Sequence, residues 1–182
     1  GLILSLAKQL PQSRDGLRKE GWSIRPKISA FDLEGKTLGV LGMGRIGTAV
    51  ARKASYGFGM KVLGYRRNLP GDICADYGIL TSDLDKVIRH ADFLSIHLPY
   101  TKDTFHLVSR EKLELMKPDA YLLNLGRGEV VDQDALRDLL LSNRLAGAAL
   151  DVFEGEIPDQ NDPMLHMEQV IATPHVAGLS KQ

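Results

Sequence analysis

The sequence has little of what would place it in an oxidising compartment, in a membrane or on a nucleic acid. Its single cysteine, Cys74, cannot form a disulfide within the chain, so we expect a reducing, cytoplasmic location. The apolar opening GLILSLA has no basic segment before it, which argues against a signal peptide. No apolar run approaches the roughly 18 residues of a membrane span. The 23 basic residues are balanced by 23 acidic ones, so a nucleic-acid partner is not expected either.

Hydrophobic residues, by contrast, are not scarce. They make up 43% of the 182 residues, which is enough for one domain with a full hydrophobic core. Glycine is abundant, with 18 residues, and this indicates places where the backbone approaches another group closely. The chain begins with glycine and not with methionine, so we expect a fragment or an excised domain.

Short apolar segments alternate with helical patterns from residue 36 onward. Segments such as YLLNL and AGAAL are apolar without a break, as expected of strands buried on both faces. Strands and helices in alternation predict right-handed crossovers, and therefore an α/β fold with a doubly wound parallel sheet. The predicted strands are Thr37–Leu41, Lys61–Tyr65, Phe93–His97, Ala120–Asn124, Ala146–Asp151 and Val170–Ala172, and the predicted helices are Arg45–Tyr56, Asp83–Arg89, Ser109–Leu115 and Gln133–Leu141.

The first 30 residues precede this alternation. Apolar residues at helical spacing predict a helix over residues 2–14 that is interrupted or ends near Pro11. A polar stretch to Gly21 and an irregular arm around Trp22 follow it. An apolar helix start and a lone tryptophan outside the alternating core need cover. We expect residues 1–30 to form a domain junction or a dimer contact, and the alternative is that they pack back onto the same sheet.

The segment GVLGMGRIG places three glycines where the first predicted strand turns into a helix. Gly42 allows the tight turn, Gly44 lets a pyrophosphate approach the backbone, and Gly47 lets the helix pack closely on the strand. The helix that begins near Arg45 directs its free amide groups and its dipole toward the phosphate. In this context the pattern predicts a dinucleotide site on a Rossmann-type domain. The alternative is a glycine turn that serves packing alone.

The second predicted strand ends without the acidic residue that would bind the adenosine ribose of NAD. In KVLGYRRN that position falls on Tyr65 or Arg66. Arg66 and Arg67 instead offer guanidinium groups that suit the 2′-phosphate of NADP. We therefore expect NAD(P) as the cofactor, with a preference for NADP. The alternative is that both arginines are solvated surface residues.

Three later strands are each followed by residues that could carry chemistry. Arg127 follows the strand in NLGRGEVV, and His175 follows the last strand in TPHVAG. Asp151 ends the strand between them, and Glu154 and Glu156 come directly after it. Ligands of a doubly wound sheet bind beyond the carboxyl ends of its strands. A histidine beside a carboxylate can stay protonated and donate a proton to a carbonyl, so these residues predict a catalytic site. Taken singly, each could also be a strand cap or a solvated charge.

Four segments together carry a resemblance to a known family. They are LEGKTLGVLGMGRIG, ADFLSIHLPYTKDTFHLVSREKLELMKPDAYLLNLGRGEVVDQDAL, AGAALDVFEGEIP and TPHVAG. In this order they resemble the nucleotide-binding domain of the D-isomer-specific 2-hydroxyacid dehydrogenases, over essentially all 182 residues. The resemblance implies an oxidoreductase that transfers a hydride between NAD(P) and a D-2-hydroxy acid or 2-keto acid. It further implies that Arg127 binds the substrate, that His175 exchanges a proton with the substrate oxygen, and that Glu156 hydrogen-bonds His175 and keeps it protonated.

The same resemblance implies the cofactor contacts, and it implies no metal. Of the histidines other than His175, His97 is expected to be structural, and His90, His106 and His166 are expected to be surface or packing residues. The predicted cofactor-binding residues, taken from the glycine turn, the two arginines and the resemblance together, are Gly42, Gly44, Arg45, Ile46, Gly47, Arg66, Arg67, Leu98, Pro99, Thr104, Leu125, Arg127, Asp151 and His175, with Leu98, Pro99 and Thr104 placed by the resemblance on the adenosine side and Asp151 at the carboxamide.

Two features depart from the family pattern. The two arginines replace the expected acid, which puts a preference for NAD in doubt. The family's second, substrate-binding domain is absent from these 182 residues, so we expect the isolated domain to be inactive, and the sequence does not select one acid as the substrate. The family also implies a homodimer through this domain. The alternative function is that of a dinucleotide-sensing transcriptional co-repressor, since such proteins resemble these dehydrogenases.

Overall fold

The computed structural model describes residues 1–67, 79–81 and 83–179, and within them one parallel sheet. The strand order is β3-β2-β1-β4-β5-β6-β7, and every neighbouring pair is parallel. The order reverses between β1 and β4, which is the switch point where such sheets bind ligands. Cys74 lies outside the described residues. The strands are β1 (Thr37–Leu41), β2 (Lys61–Tyr65), β3 (Ile79–Thr81), β4 (Phe93–Ile96), β5 (Tyr121–Asn124), β6 (Gly147–Leu150) and β7 (Val170–Ala172).

Helices cover both faces of the sheet and bury a separate apolar core on each. Leu94 points into the core beneath α4, α5 and α6, whereas its neighbour Phe93 points into the core beneath α1 and α3. This alternation explains why the strands are largely apolar on both faces. The predicted doubly wound α/β fold is therefore confirmed. The helices are α1 (Leu2–Ala7), α2 (Leu10–Glu20), α3 (Arg45–Phe58), α4 (Leu84–His90), α5 (Arg110–Leu113) and α6 (Gln133–Leu141).

Two helices of one face begin at an aspartate that caps the first turn. The carboxylate of Asp83 accepts a hydrogen bond from the amide of Lys86 at 2.7 Å, and that of Asp132 accepts one from the amide of Ala135 at 2.9 Å. Each cap satisfies an amide that has no partner within its helix. The cap at Asp132 fixes the start of α6 shortly after the loop that follows β5.

The first 30 residues differ in part from the prediction. The helical segment is interrupted near Pro11 as predicted, and the break itself lies at Gln9, whose φ is 47°, because proline fits the first turn of the next helix. The polar stretch that follows is helical up to Glu20, and residues 21–27 form a 3₁₀ helix. Leu6 packs into the core of the same sheet, whereas Trp22 remains 75% exposed. The segment therefore has a packed part and an uncovered part.

The remaining differences lie at element ends and at the sheet edge. Strand β3 was not predicted, and its three residues are too few to show a hydrophobic period. Strand β4 ends at Ile96, although the amide of His97 still donates a hydrogen bond to the carbonyl of Leu41 at 2.8 Å. Helix α3 continues two residues beyond its predicted end, to Phe58. These shifts leave every predicted site residue at the carboxyl edge of the sheet or just beyond it.

Candidate active site

The turn between β1 and α3 fits a pyrophosphate. Gly42 has φ +100°, and a side chain there would lie 2.8 Å from the carbonyl oxygen of His97. A side chain at Gly47 would lie 2.2 Å from the carbonyl oxygen of Gly42, so helix and strand approach too closely for any other residue. At Gly44 nothing lies within 4 Å of an added Cβ. The open space in front of Gly44 and the uncapped amides at the start of α3 form the cradle that a phosphate needs.

A cavity of about 350 Å³ adjoins this turn at the carboxyl ends of β1, β2 and β4. Arg45 and Ile46 do not line it but lie exposed at the start of α3, and Gly47 is buried behind them. Because this cavity lies at the switch point of the sheet, it is the candidate site for the adenosine half of a dinucleotide. The predicted residues that line it are Gly42, Gly44, Arg66, Arg67, Leu98, Pro99 and Thr104.

Thr104 holds one wall of this cavity in place. Its hydroxyl donates a hydrogen bond to the carbonyl of Pro99 at 2.7 Å and accepts one from the amide of Thr101 at 2.7 Å. The amide of Thr104 in turn donates to the carbonyl of Thr101 at 3.0 Å. Thr104 is 8% exposed, so these bonds are shielded from water. The turn over residues 101–104 is thus held by its own hydrogen bonds.

An ion pair that the sequence did not reveal lies at the rim of the same cavity. The Nη1 atom of Arg67 donates to Oδ2 of Asp103 at 2.8 Å, which joins the end of β2 to the turn over residues 101–104. The Asp103 carboxylate raises the pKa of Arg67, first through the hydrogen bond and then through charge attraction. Arg67 is therefore engaged with a carboxylate and is not simply a solvated surface residue.

His97 lines the cavity as a neutral side chain. Burial lowers the pKa of His97 to about 4. A hydrogen bond of 2.9 Å joins its Nε2 to the hydroxyl of Ser95, which is itself buried. A neutral imidazole held in this way agrees with the structural role predicted for it.

A second cavity, of about 540 Å³, lies at the carboxyl ends of β5, β6 and β7. Arg127, Glu156 and His175 line it together, and so does Asp151. The sequence predicted all four residues, which come from three different loops, and the fold brings them to one cavity. Val152, Ile157, Pro158 and Leu165 add apolar surface to its walls.

The loop after β5 is shaped to present Arg127. Asn124 is 2% exposed, and its side chain accepts from the amide of Gly126 at 3.1 Å and donates to the carbonyl of Arg127 at 3.0 Å. A Cβ at Gly128 would lie 2.0 Å from the backbone of Phe153, so the loop packs tightly against the segment after β6. The local chain around Arg127 is therefore fixed, as a group that orients a substrate requires.

Asp151 organises the loop that carries His175. Its carboxylate accepts hydrogen bonds from the Thr173 hydroxyl at 2.5 Å and from the amides of Val176 and Ala177, both at 2.9 Å. Burial acts to raise the pKa of Asp151, but these hydrogen bonds outweigh it and hold the pKa below its usual value. The sequence did not point to Thr173 as a partner. The contact predicted between Asp151 and a carboxamide stays a prediction.

Glu156 and His175 both adopt left-handed backbone conformations. Their φ angles are 66° and 53°, values that residues with a side chain rarely adopt. Such backbone strain occurs preferentially at functional sites. No hydrogen bond joins the two side chains within the described part of the chain, so their expected pairing stays a prediction.

Glu154 faces a different neighbour from Glu156. One of its carboxylate oxygens lies 3.1 Å from Nε2 of His106. Its backbone amide donates a hydrogen bond to the side-chain oxygen of Gln133 at 2.9 Å. The His106 ring also stacks on Phe105, with ring centres 4.0 Å apart. His106 is thus a packing residue as expected, and it pairs with a carboxylate as well. Glu156, which lines the cavity, remains the better candidate for a partner of His175.

Three further findings concern Leu125, metal ligands and membrane spans. Leu125 does not line either cavity but packs against the core beneath α1 and α3. Within residues 1–67, 79–81 and 83–179, no three histidine, cysteine or carboxylate side chains are grouped as metal ligands would be. In the same residues no helix has the length and apolar character needed to cross a membrane.

Comparison with known proteins identifies the family of this chain. Residues 1–177 match the family model for the D-isomer specific 2-hydroxyacid dehydrogenase, NAD binding domain. The chain belongs to this family. It is 40% identical to the glyoxylate reductase of Korarchaeum cryptofilum, in a match covering 100% of this chain and 55% of that protein.

Solved structures agree with this assignment to the 2-hydroxyacid dehydrogenases. The D-lactate dehydrogenase of Aquifex aeolicus, complexed with NAD and lactic acid, superposes with a TM-score of 0.90 at 36% identity, over 98% of this chain and 58% of that one. An acyclic imino acid reductase in complex with NADPH and D-Arg gives 0.86 at 32% identity, over 98% and 55%. The chain thus spans little more than half the length of these relatives. NAD(P) is the cofactor class of such a domain.

Proposed function

We propose that the protein containing this chain is an NAD(P)-dependent dehydrogenase that interconverts a D-2-hydroxy acid and its 2-keto partner. The observation that carries the proposal is the single cavity into which Arg127, Glu156 and His175 open. Relatives named for glyoxylate and for D-lactate support small acids of this class as substrates. The residues do not select one acid, and the comparisons give no support to a transcriptional co-repressor.

Each of the three side chains has a separate task in this proposal. The guanidinium of Arg127 binds the carboxylate of the acid and orients its carbonyl. His175 gives a proton to the carbonyl oxygen during reduction and takes it back during oxidation. Glu156 favours the protonated imidazole, because an anionic partner stabilises the cation. NAD(P), when bound, supplies or accepts the hydride.

The residues around the first cavity suit NAD(P) in the same proposal. The open space at Gly44 and the first amides of α3 would hold the pyrophosphate. Arg66 and Arg67 line the adenosine side, where no carboxylate follows β2 directly. We infer a preference for NADP from these two cations alone, since one of the two neighbours described above is complexed with NADPH and the other with NAD. Arg45, Ile46 and Leu125 stay proposed cofactor contacts at the helix start and the nicotinamide side.

We also infer that the protein is a homodimer and is cytoplasmic. The uncovered part of the N-terminal segment presents Leu10 and Leu17, each 51% exposed, and Trp22, 75% exposed. Exposed apolar side chains on one short segment suit an interaction site, and two-fold pairing is the commonest way to cover such a site. A single cysteine suits a reducing compartment.

The proposed function is tested by replacing His175 with alanine in the intact protein. Loss of the proton donor should lower kcat for keto-acid reduction by about 10²–10⁴-fold. Binding of NADPH or NADH, followed by fluorescence titration, should change little. His166→Ala provides a matched control, since His166 hydrogen-bonds the carbonyl of Gln160 and does not line the cavity. Unchanged reduction by the His175→Ala protein would exclude this role.

A further inference from the structure

The pair formed by Arg67 and Asp103 raises a question about the adenosine side of the site. Arg67 lines the cavity next to Gly42 and Gly44, whereas Asp103 does not line it. The guanidinium that would meet a 2′-phosphate is therefore held, on one of its nitrogens, by a carboxylate from outside the cavity. A carboxylate in that place competes with a phosphate for the same donor, since both bind guanidinium in the same geometry.

We propose that Asp103 is a specificity-determining residue, which limits the binding of a 2′-phosphate by competing with it for Arg67. The inference rests on the proposed dinucleotide site. It assigns part of the choice between NADP and NAD to a side chain that lies on a different segment from the two arginines.

The position of Asp103 is fixed, whereas its contact with Arg67 is open to exchange. The hydrogen bonds of Thr104 hold the turn, so Asp103 is presented at a constant place beside the end of β2. The side chains of Arg67 and Asp103 are 56% and 69% exposed. An ion pair this exposed is weak, so an incoming phosphate can displace the carboxylate. The pair therefore reduces phosphate affinity without blocking the site.

Asp103 opposes a phosphate in two ways that can be separated. It occupies a donor of Arg67, and its charge repels a dianion nearby. The first effect requires Arg67, whereas the second does not. A variant without the charge, Asp103→Asn, removes the repulsion and weakens the competition, because a neutral amide oxygen is a poorer acceptor for Arg67 than a carboxylate. The same change made together with Arg67→Gln tests the repulsion alone.

The test compares two nucleotide probes that differ by one phosphate, 5′-AMP and 2′,5′-ADP, in titrations of the intact protein. Asp103→Asn should bind 2′,5′-ADP about three- to tenfold more tightly and 5′-AMP within about twofold of the original affinity. In the Arg67→Gln background the same change should give a distinctly smaller gain. Asp138→Asn is the control, because Asp138 forms a similarly exposed pair with Arg110 at 2.5 Å on α6.

Three results would overturn the proposal. If both probes bind and Asp103→Asn leaves their affinity ratio unchanged or lowers it, the proposal alone fails. An equal gain with and without Arg67 would leave charge repulsion as the cause and exclude competition for Arg67. If neither probe binds the unaltered protein, the proposed dinucleotide site fails, and this inference fails with it.

Discussion

Glu156 and Glu154 stand two residues apart, and the structure gives them different surroundings. Glu156 lines the cavity with His175, whereas Glu154 pairs with His106. We expect Glu156→Gln to lower kcat for keto-acid reduction, because the carboxylate that faces the same cavity as His175 no longer assists the proposed proton donor. Steady-state kinetics of the intact protein measure this. Glu154→Gln should leave kcat in place, and an equal effect of the two substitutions would contradict the assignment.

Gly44 offers a test of the cofactor cradle that does not disturb the fold. Nothing lies within 4 Å of a Cβ at this position, so Gly44→Val is tolerated sterically, but the new side chain fills the space of the pyrophosphate. We expect NADPH affinity to fall about tenfold or more with little change in thermal midpoint. Calorimetric titration and thermal unfolding check the two parts. Gly57→Val, also in open space, serves as the control for a new side chain on α3.

At this scale the sequence predicts residues that lie at strand ends and misses contacts between distant segments. Gly42, Arg127 and His175 lie within three residues of the end of an apolar strand, so their place at the carboxyl edge can be predicted from local pattern. The partner of Arg67 stands 36 positions away, and the pair between His106 and Glu154 spans 48. Contacts of that kind depend on how loops meet in space, and no local pattern carries that information.

Among the elements, the loop after β7 depends most on one buried group. It is joined to Asp151 through the Thr173 hydroxyl and the amides of Val176 and Ala177. We expect Asp151→Asn to lower the free energy of unfolding at pH 7 by about 1–3 kcal/mol, because buried donors lose a charged acceptor. Amide hydrogen exchange at Val176 and Ala177 should become faster as well.

The stability difference between the original protein and Asp151→Asn should depend on pH, in the sense set by the pKa shift of Asp151. The folded protein holds the pKa of Asp151 below its unfolded value. The stability that the carboxylate contributes is therefore complete above the unfolded pKa and is lost as the pH falls through the folded pKa. Denaturant unfolding at a series of pH values should show the difference between the two proteins shrinking in acid. A difference that stays constant down to the folded pKa and beyond would contradict this account.

Element types follow from the sequence more readily than element ends. Strands such as β5 and helices such as α6 are predicted because apolar runs and helical periods alternate over a long stretch. The predicted helix ended by residue 14, whereas α2 continues to Glu20, because a polar helix on the surface need not show a wide apolar face. Its start is set by the left-handed Gln9, which no sequence pattern marked.

Among the exposed apolar side chains of the described residues, Leu10, Leu17 and Trp22 belong to the N-terminal segment. If this segment is the dimer contact, Leu17→Glu combined with Trp22→Glu should shift the intact protein from dimer to monomer, because charges are costly in an apolar interface. Sedimentation velocity over a range of concentrations measures the shift. Leu141→Glu is the control, since Leu141 is 57% exposed on α6. A monomer before any substitution would count against the dimer.

The left-handed backbone at Glu156 and His175 also bears on the evolutionary history of such chains. Each of these conformations costs on the order of 1–3 kcal/mol with a side chain present, and glycine would remove most of that strain. Selection for folding alone would therefore favour glycine at both positions, and the catalytic roles that we propose for Glu156 and His175 would oppose that change. Descendants that keep this sheet and abandon the chemistry should accumulate glycine at these two places, and that change would identify them in a genome.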